Sequence, residues 1–191
     1  MEKVEINKNM KLSEHFTLGE MCKTKHVTAD GNIPSRVVIE NLIRVCGWLE
    51  ELRVLAGVRP QSEVCAGVRP QSKVAGDCTL APDPGAAPEL GAAPASRKEE
   101  PIVINSGYRS PEVNRLAGGA ANSNHLSGCA VDIHCAGKEQ MIRYASILLD
   151  IADGSKQEYD ELLLEQHGSV CWLHFAVRPK ENRRIIRFLR V

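Results

Sequence analysis

The sequence has no excess of charge of either sign, because 24 basic side chains are balanced by 24 acidic ones among 191 residues. We therefore expect no nucleic-acid partner held by bulk positive charge. No apolar run approaches the roughly 18 residues that a membrane-spanning helix needs. The N-terminal residues also lack the apolar core of a secretory signal. The chain is thus expected to be soluble, without a membrane span, and cytoplasmic as synthesised.

Cysteine pairs of the CxxC type are missing, although the chain contains seven cysteines. The odd number argues against a disulfide framework, and the absence of close pairs argues against a zinc site built from cysteines alone. We expect most of these cysteines to be free, small and buried.

Residues 57–100 differ from the rest of the chain in composition. A ten-residue segment that begins at Ala56 is repeated at Ala66 with eight of ten positions identical, and seven of the ten prolines lie between Pro60 and Pro101. Proline at this density is incompatible with a helix interior or a central strand. We predict a disordered insertion at 57–100 within a single domain spanning 1–191, with a binding arm as the alternative.

The remaining residues predict a small α+β domain. Apolar residues at three- and four-residue steps indicate a long helix at 36–56, ended by Gly57. A capping box formed by Thr17 and Glu20 indicates a short helix through about residue 25. Further helices are expected near 111–117 and at 138–152, and strands at 102–105, 129–135, 159–165, 170–177 and 184–189. Since these elements lack βαβ regularity, we expect flanking helices around a small antiparallel sheet.

The side chains of His125, Asp132 and His174 can share one metal ion. Strand alternation places Asp132 on the face opposite Cys129 and Cys135, which favours carboxylate over thiolate ligation. His125 lies in the preceding turn, and His174 comes from a distant strand. Catalytic zinc sites use three such ligands and leave a fourth position for water. On spacing alone, the alternative is a satisfied core histidine with a surface aspartate.

The motifs around these residues resemble those of the zinc D-Ala-D-Ala carboxypeptidase family. They are the string Ser123-x-His125-x-x-Gly128-x-Ala130-x-Asp132, the segment 106–111 (SGYRSP) and the closing Trp172-Leu-His174. The resemblance covers roughly residues 11–56 and 101–178. It implies the hedgehog/DD-peptidase fold and a peptidase that acts on peptidoglycan.

The resemblance also implies a role for each matching residue. His125, Asp132 and His174 are the implied zinc ligands, Arg109 the residue that contacts substrate and assists catalysis, and Ser123 a further substrate-binding residue. A guanidinium suits a peptide carboxylate or a developing oxyanion. Structural alternatives are an ion pair of Arg109 with Glu112 or Asp132, and a turn capped by Ser123.

The general base is the point at which the sequence departs from the family. Many relatives have Glu or Asp three residues before the last histidine, but this chain has Cys171. Glu165, which shares a strand face with Glu161 and Leu163, is the predicted substitute; His167 and Asp160 are weaker candidates.

The expected function is zinc-dependent amide hydrolysis in peptidoglycan peptides that contain D-amino acids, by a monomeric carboxypeptidase or lysin-like endopeptidase. Alternatives are a non-catalytic zinc-binding module and a cytoplasmic D-Ala-D-Ala dipeptidase. Without a signal, a wall substrate would be reached after lysis or by non-classical export.

Overall fold

A computed structural model describes residues 7–57 and 100–190, which form helices around one five-stranded sheet. The helices are α1 (Leu18–Met21), α2 (Arg36–Gly57), α3 (Pro111–Leu116) and α4 (Lys138–Ser155), with a short 3-10 helix at Asn124–Ser127. The strands are β1 (Ile104–Ser106), β2 (Ala130–Cys135), β3 (Glu161–His167), β4 (Val170–Ala176) and β5 (Ile185–Arg190). This architecture is consistent with the predicted α+β class.

The sheet is antiparallel except at one edge. Its strand order is β1-β2-β4-β3-β5, and β5 runs parallel to β3. The expectation of a wholly antiparallel sheet is therefore wrong for β5. Two backbone hydrogen bonds fix the start of β5 beside the start of β3. Arg184 N donates to Tyr159 O, and Ile185 N donates to Asp160 O. β5 thus begins beside the start of β3 and follows the same direction.

The short helix α1 has the predicted capping box but ends earlier than expected. Thr17 Oγ1 accepts from Glu20 N, and the Glu20 side chain accepts from Thr17 N. The helix stops at Met21 rather than near residue 25. Its end is held from outside, because Asn32 Nδ2 donates to Cys22 O at 2.9 Å and Tyr108 N donates to Met21 O at 2.7 Å. These tertiary bonds replace the helical ones.

The two faces of the sheet have different roles. One face packs against α2 and α4, with the buried side chains of Val131, Leu162 and Phe175 in its centre. The ring centroids of Trp48 and Phe175 lie 5.2 Å apart, so α2 contacts this face directly. Burial of these side chains is the main source of stability. The opposite face carries the polar residues described below.

Within 7–57 and 100–190 the cysteines are free, and all but Cys22 are buried. None of the helices in those ranges is long and apolar enough to cross a membrane. The predicted insertion at 57–100 lies almost entirely outside the described residues, so it and the single-domain boundaries stay predictions.

Gly128, between the 3-10 helix and β2, combines a left-handed backbone conformation with a close approach to α2. Its φ is 70°, and an added Cβ would lie 2.7 Å from Val38 O of α2. We predict that Gly128→Ala lowers the free energy of unfolding by about 1–3 kcal/mol from backbone strain alone. Urea denaturation measures this change.

Gly47→Ala is the matched control for that variant. Gly47 lies within α2, and nothing would contact its added Cβ within 4 Å. Alanine there should stabilise the helix by up to about 1 kcal/mol. Equal effects of the two substitutions would contradict the steric role assigned to Gly128.

Candidate metal centre

Three elements bring His125, Asp132 and His174 together on the polar face of the sheet. Asp132 of β2 lies directly opposite His174 of β4, and His125 approaches from the 3-10 helix. Asp132 Oδ1 is 3.2 Å from His125 Nε2 and 2.9 Å from His174 Nδ1, and these two nitrogens are 3.2 Å apart. The three residues are 2–8% exposed. One ligand atom from each therefore faces a common, buried point.

The second nitrogen of each imidazole has its own partner. His125 Nδ1 lies 2.6 Å from the carbonyl oxygen of Gly107, and His174 Nε2 lies 3.6 Å from Glu161 Oε2. Metal-bound histidines commonly donate their other N–H to a carbonyl or carboxylate, and this contact fixes the ring and its tautomer. The two rings are therefore oriented with His125 Nε2 and His174 Nδ1 toward the shared point.

The carboxylate of Asp132 is held from the opposite side by Arg109. Arg109 Nη2 donates to Asp132 Oδ2, and Arg109 Nε donates to Ser106 Oγ at 2.8 Å. This leaves Asp132 Oδ1 directed toward the histidines. Of the two predicted ion-pair alternatives for Arg109, the structure has the one with Asp132. Glu112 instead accepts from Ala29 N.

Ser123 has a local structural contact. Its hydroxyl oxygen accepts from His125 N at 3.3 Å and caps the 3-10 helix. The predicted turn-capping role is therefore present, and it positions the segment that carries His125.

The pKa values of Asp132 and His174 are shifted by their neighbours in the cluster. Burial opposes ionisation of Asp132, yet the neighbouring His125 and His174 hold its pKa well below the usual value. Burial likewise disfavours charged His174, but the carboxylates of Asp132 and Glu161 outweigh it and raise the pKa of His174 to about 9. Zinc binding at His174 would displace this proton, because an imidazole nitrogen binds a metal in its neutral form. Two imidazole nitrogens and one carboxylate oxygen, each oriented by a neighbour, fit the ligand set of a catalytic zinc ion.

Glu165 and Cys171 lie on opposite faces of the sheet. Glu165 of β3 lies directly opposite Trp172 of β4, so the two side chains share a face of the sheet. Glu165 is therefore on the face that carries His174. Cys171 belongs to the buried core beneath the sheet. An acidic residue at position 171 of this chain would point away from the metal centre.

The other carboxylates near β3 are engaged in ion pairs. Asp160 is fully buried and accepts two hydrogen bonds from the Arg183 guanidinium and one from Asn124. Glu161 accepts from Arg183 and Asn124 as well as lying near His174. Asp160 therefore anchors the start of β3 instead of facing the cluster. The other weaker candidate, His167, is exposed at the end of β3.

A cleft opens beside the cluster. It has a volume of about 580 Å³, and Asp132, Arg109 and Trp172 form part of its lining. Val113 and Leu116 of α3 add an apolar side. This size is in the range of small-molecule and short-peptide sites.

The sequence places Glu161 beside Glu165 on one strand face, but it does not predict the contact of Glu161 with His174. Strand alternation shows that both glutamates share the face of His174, but it does not show which one contacts the ring. Ser106 contacts Arg109 and Gly107 contacts His125, and the sequence predicts neither contact, although both residues lie in the SGYRSP motif. Their roles depend on how the segment folds against β2.

Glu161→Gln is expected to weaken zinc binding by about 10–100-fold, because the neutral amide holds His174 less strongly. Chelator competition measures the affinity. Glu158→Gln is the matched control, since Glu158 is exposed and pairs with Arg184, away from the cluster. Equal zinc affinity in the two variants would show that Glu161 serves only its ion pair with Arg183.

Comparison with known families agrees with this geometry. Residues 71–155 match the family model described as Peptidase M15, whose members are zinc peptidases. The match confirms the resemblance to the zinc D-Ala-D-Ala carboxypeptidase family and supports a metallopeptidase. It includes His125 and Asp132 but ends before His174, whose assignment rests on the side-chain geometry. A search of curated proteins gives no match.

Proposed function

We propose that this protein is a zinc-dependent peptidase that hydrolyses amide bonds in peptidoglycan peptides containing D-amino acids, on a hedgehog/DD-peptidase-like fold. The observation that supports this most strongly is the buried convergence of His125, Asp132 and His174 beside a cleft, within a chain that matches a peptidase family. A non-catalytic metal site does not require such a cleft.

His125, Asp132 and His174 would hold the zinc ion. When bound, zinc would lower the pKa of a coordinated water to roughly 7 and would polarise the scissile carbonyl. The chain's own residues must then move the proton and stabilise the charge that develops on the carbonyl oxygen.

Glu165 is the proposed general base. It lies on the metal-site face, and burial raises the pKa of its carboxyl. A base with a pKa closer to neutral transfers protons more effectively at neutral pH. In contrast, the adjacent His174 ring lowers the pKa of Glu161, and Arg183 and Asn124 donate hydrogen bonds to its oxygens. Glu165 would therefore take a proton from the attacking water and deliver it to the leaving amine.

Arg109 and Ser123 retain the proposed role of substrate contact. Arg109 lines the cleft, and the guanidinium N–H groups not used by Ser106 and Asp132 are available to a substrate carbonyl oxygen. Arg109 also donates to Asp132, so a substrate carbonyl oxygen bound by Arg109 would lie at a fixed position relative to the metal centre.

Incubation of zinc-free and zinc-loaded protein with a peptidoglycan pentapeptide tests the proposal. Zinc-dependent release of D-Ala, or of a larger fragment from a cross-linked muropeptide, is expected by mass spectrometry. A pentapeptide ending in L-Ala-L-Ala is the control for stereochemistry. A folded protein that binds one zinc ion but cleaves neither substrate would favour the non-catalytic zinc-binding module.

A further inference from the structure

The segment between β4 and β5, residues 177–184, contains none of the three candidate ligands but contacts the carboxylates at the start of β3. Arg183 N and Nε both donate to Asp160 Oδ1, at 3.2 and 2.8 Å, and Arg183 Nη2 donates to Asp160 Oδ2 at 2.7 Å. The same Nη2 donates to Glu161 Oε1 at 2.7 Å. One guanidinium therefore holds two adjacent carboxylates.

The two oxygens of Glu161 have different partners. Oε1 accepts from Arg183, whereas Oε2 accepts from Asn124 Nδ2 at 2.9 Å. Oε2 is also the oxygen that lies 3.6 Å from His174 Nε2. Because each oxygen is held separately, the carboxylate cannot rotate without losing a hydrogen bond, and Oε2 stays on the side of His174.

Asn124 connects this carboxylate to the segment that carries the other histidine. It directly precedes His125 in the 3-10 helix, and its Nδ2 donates to Asp160 Oδ2 at 2.8 Å as well as to Glu161 Oε2. The hydrogen bonds around Glu161 therefore link the 3-10 helix, the start of β3 and His174 of β4.

Asp160 fixes Arg183 in place. Its side chain is fully buried, and an unpaired buried carboxylate would be costly, so the guanidinium is held there strongly. The next two backbone N–H groups, of Arg184 and Ile185, bond to the two residues that precede β3. The parallel pairing of β5 with β3 therefore keeps Arg183 beside both carboxylates.

We propose that Arg183 and Asn124 are positioning residues of the metal centre, which hold Glu161 so that its Oε2 fixes the His174 ring with Nδ1 toward the metal. This inference rests on the zinc-binding part of the proposed function. It gives residues 177–184, which lie beyond the family match, a role in metal binding.

A double-mutant cycle tests the inference, with zinc affinity measured by chelator competition and no substrate present. Arg183→Gln should weaken zinc binding by about 3–10-fold, below the roughly 10–100-fold typical of a direct partner of a ligand. In the Glu161→Gln background the same change should have little further effect, because Arg183 acts on the ligands through Glu161. Asn124→Ala should show the same dependence on Glu161.

Arg178→Gln is the matched control. Arg178 Nη1 lies 3.7 Å from Asp160 Oδ1, so this change removes a positive charge beside the same buried carboxylate without removing a hydrogen bond to Glu161. Zinc affinity should stay at the wild-type value. Arg183→Lys keeps a positive charge beside Asp160 but lacks the rigid fork of the guanidinium, so it should fold and still bind zinc more weakly.

The Nε2–H proton of His174 gives a second readout, in zinc-saturated protein. Its exchange with solvent, followed by NMR, should be slow in the wild type and in Arg178→Gln, and faster in Arg183→Gln and Arg183→Lys. A general loss of stability would not speed exchange at this one ring while zinc remains bound.

Unchanged zinc affinity in Arg183→Gln would overturn the inference, and so would equal losses in the wild-type and Glu161→Gln backgrounds. Loss of zinc affinity in Arg178→Gln equal to that in Arg183→Gln would overturn it as well. The expected cycle in a protein that hydrolyses nothing would support the positioning role and overturn only the peptidase activity. A wild type that binds no zinc would overturn both.

Discussion

The Asp132→Asn variant is expected to lose stoichiometric zinc and all measurable peptidase activity. Asp132 Oδ1 faces both His125 Nε2 and His174 Nδ1, and Oδ2 accepts from Arg109. An amide offers neither the charge nor two acceptor oxygens. We expect zinc affinity to fall by more than the roughly 100-fold limit typical of changes in groups that merely orient metal ligands.

Thermal unfolding with and without zinc measures this loss independently of activity. At a free zinc concentration 100 times Kd, binding stabilises the native state by about 2.7 kcal/mol. For a chain of this length that corresponds to a rise in Tm of roughly 5–11 °C. Wild type should show the rise and Asp132→Asn should not.

His134→Asn is the control for the Asp132 variant. His134 is two residues further along β2 on the same face, but it is exposed and lies outside the cluster. It should retain both zinc and the rise in Tm. Retention of zinc by Asp132→Asn, or its loss from His134→Asn, would show that the metal binds elsewhere.

Much of the fold follows from local patterns. The capping box of α1, the apolar spacing of α2 and the alternation of β2 and β4 are encoded within a few residues, so the sequence predicts them. The parallel pairing of β5 with β3 is not local. It depends on bonds such as Arg184 N to Tyr159 O, which join residues 25 positions apart, so no short pattern reveals it.

In the candidate site, too, some features follow from local sequence patterns and others depend on distant contacts. The alternation of β2 and β4 predicts that Asp132 and His174 can face one another, whereas the partner of Arg109 does not follow from spacing. Glu112 is closer to Arg109 in sequence, yet Asp132 is the residue that packs against it. Lys23 and Lys25 are the least predictable residues of the cleft, because they line it only after Asn32 fixes their loop. In the sequence these residues form an ordinary polar segment.

Glu165→Gln is expected to abolish peptide hydrolysis while leaving the fold and the zinc intact. Glutamine is nearly isosteric with glutamate, but it cannot take a proton from water. A positioned general base contributes about 10²–10⁴-fold to rate, so kcat should fall by that factor. Zinc content should stay near one per chain, because His125, Asp132 and His174 are unchanged.

Measuring kcat of Glu161→Gln at saturating zinc distinguishes the role of Glu161 from that of the proposed base, Glu165. Glu161 contacts His174 and Arg183, so its loss should change zinc affinity more than kcat. The opposite pattern, with activity lost in Glu161→Gln and kept in Glu165→Gln, would transfer the base role to Glu161. Position 171 is no alternative, because a carboxylate introduced there would enter the core formed with Leu173 and Phe175. The zinc and kcat measurements together therefore show which of these two glutamates acts as the base.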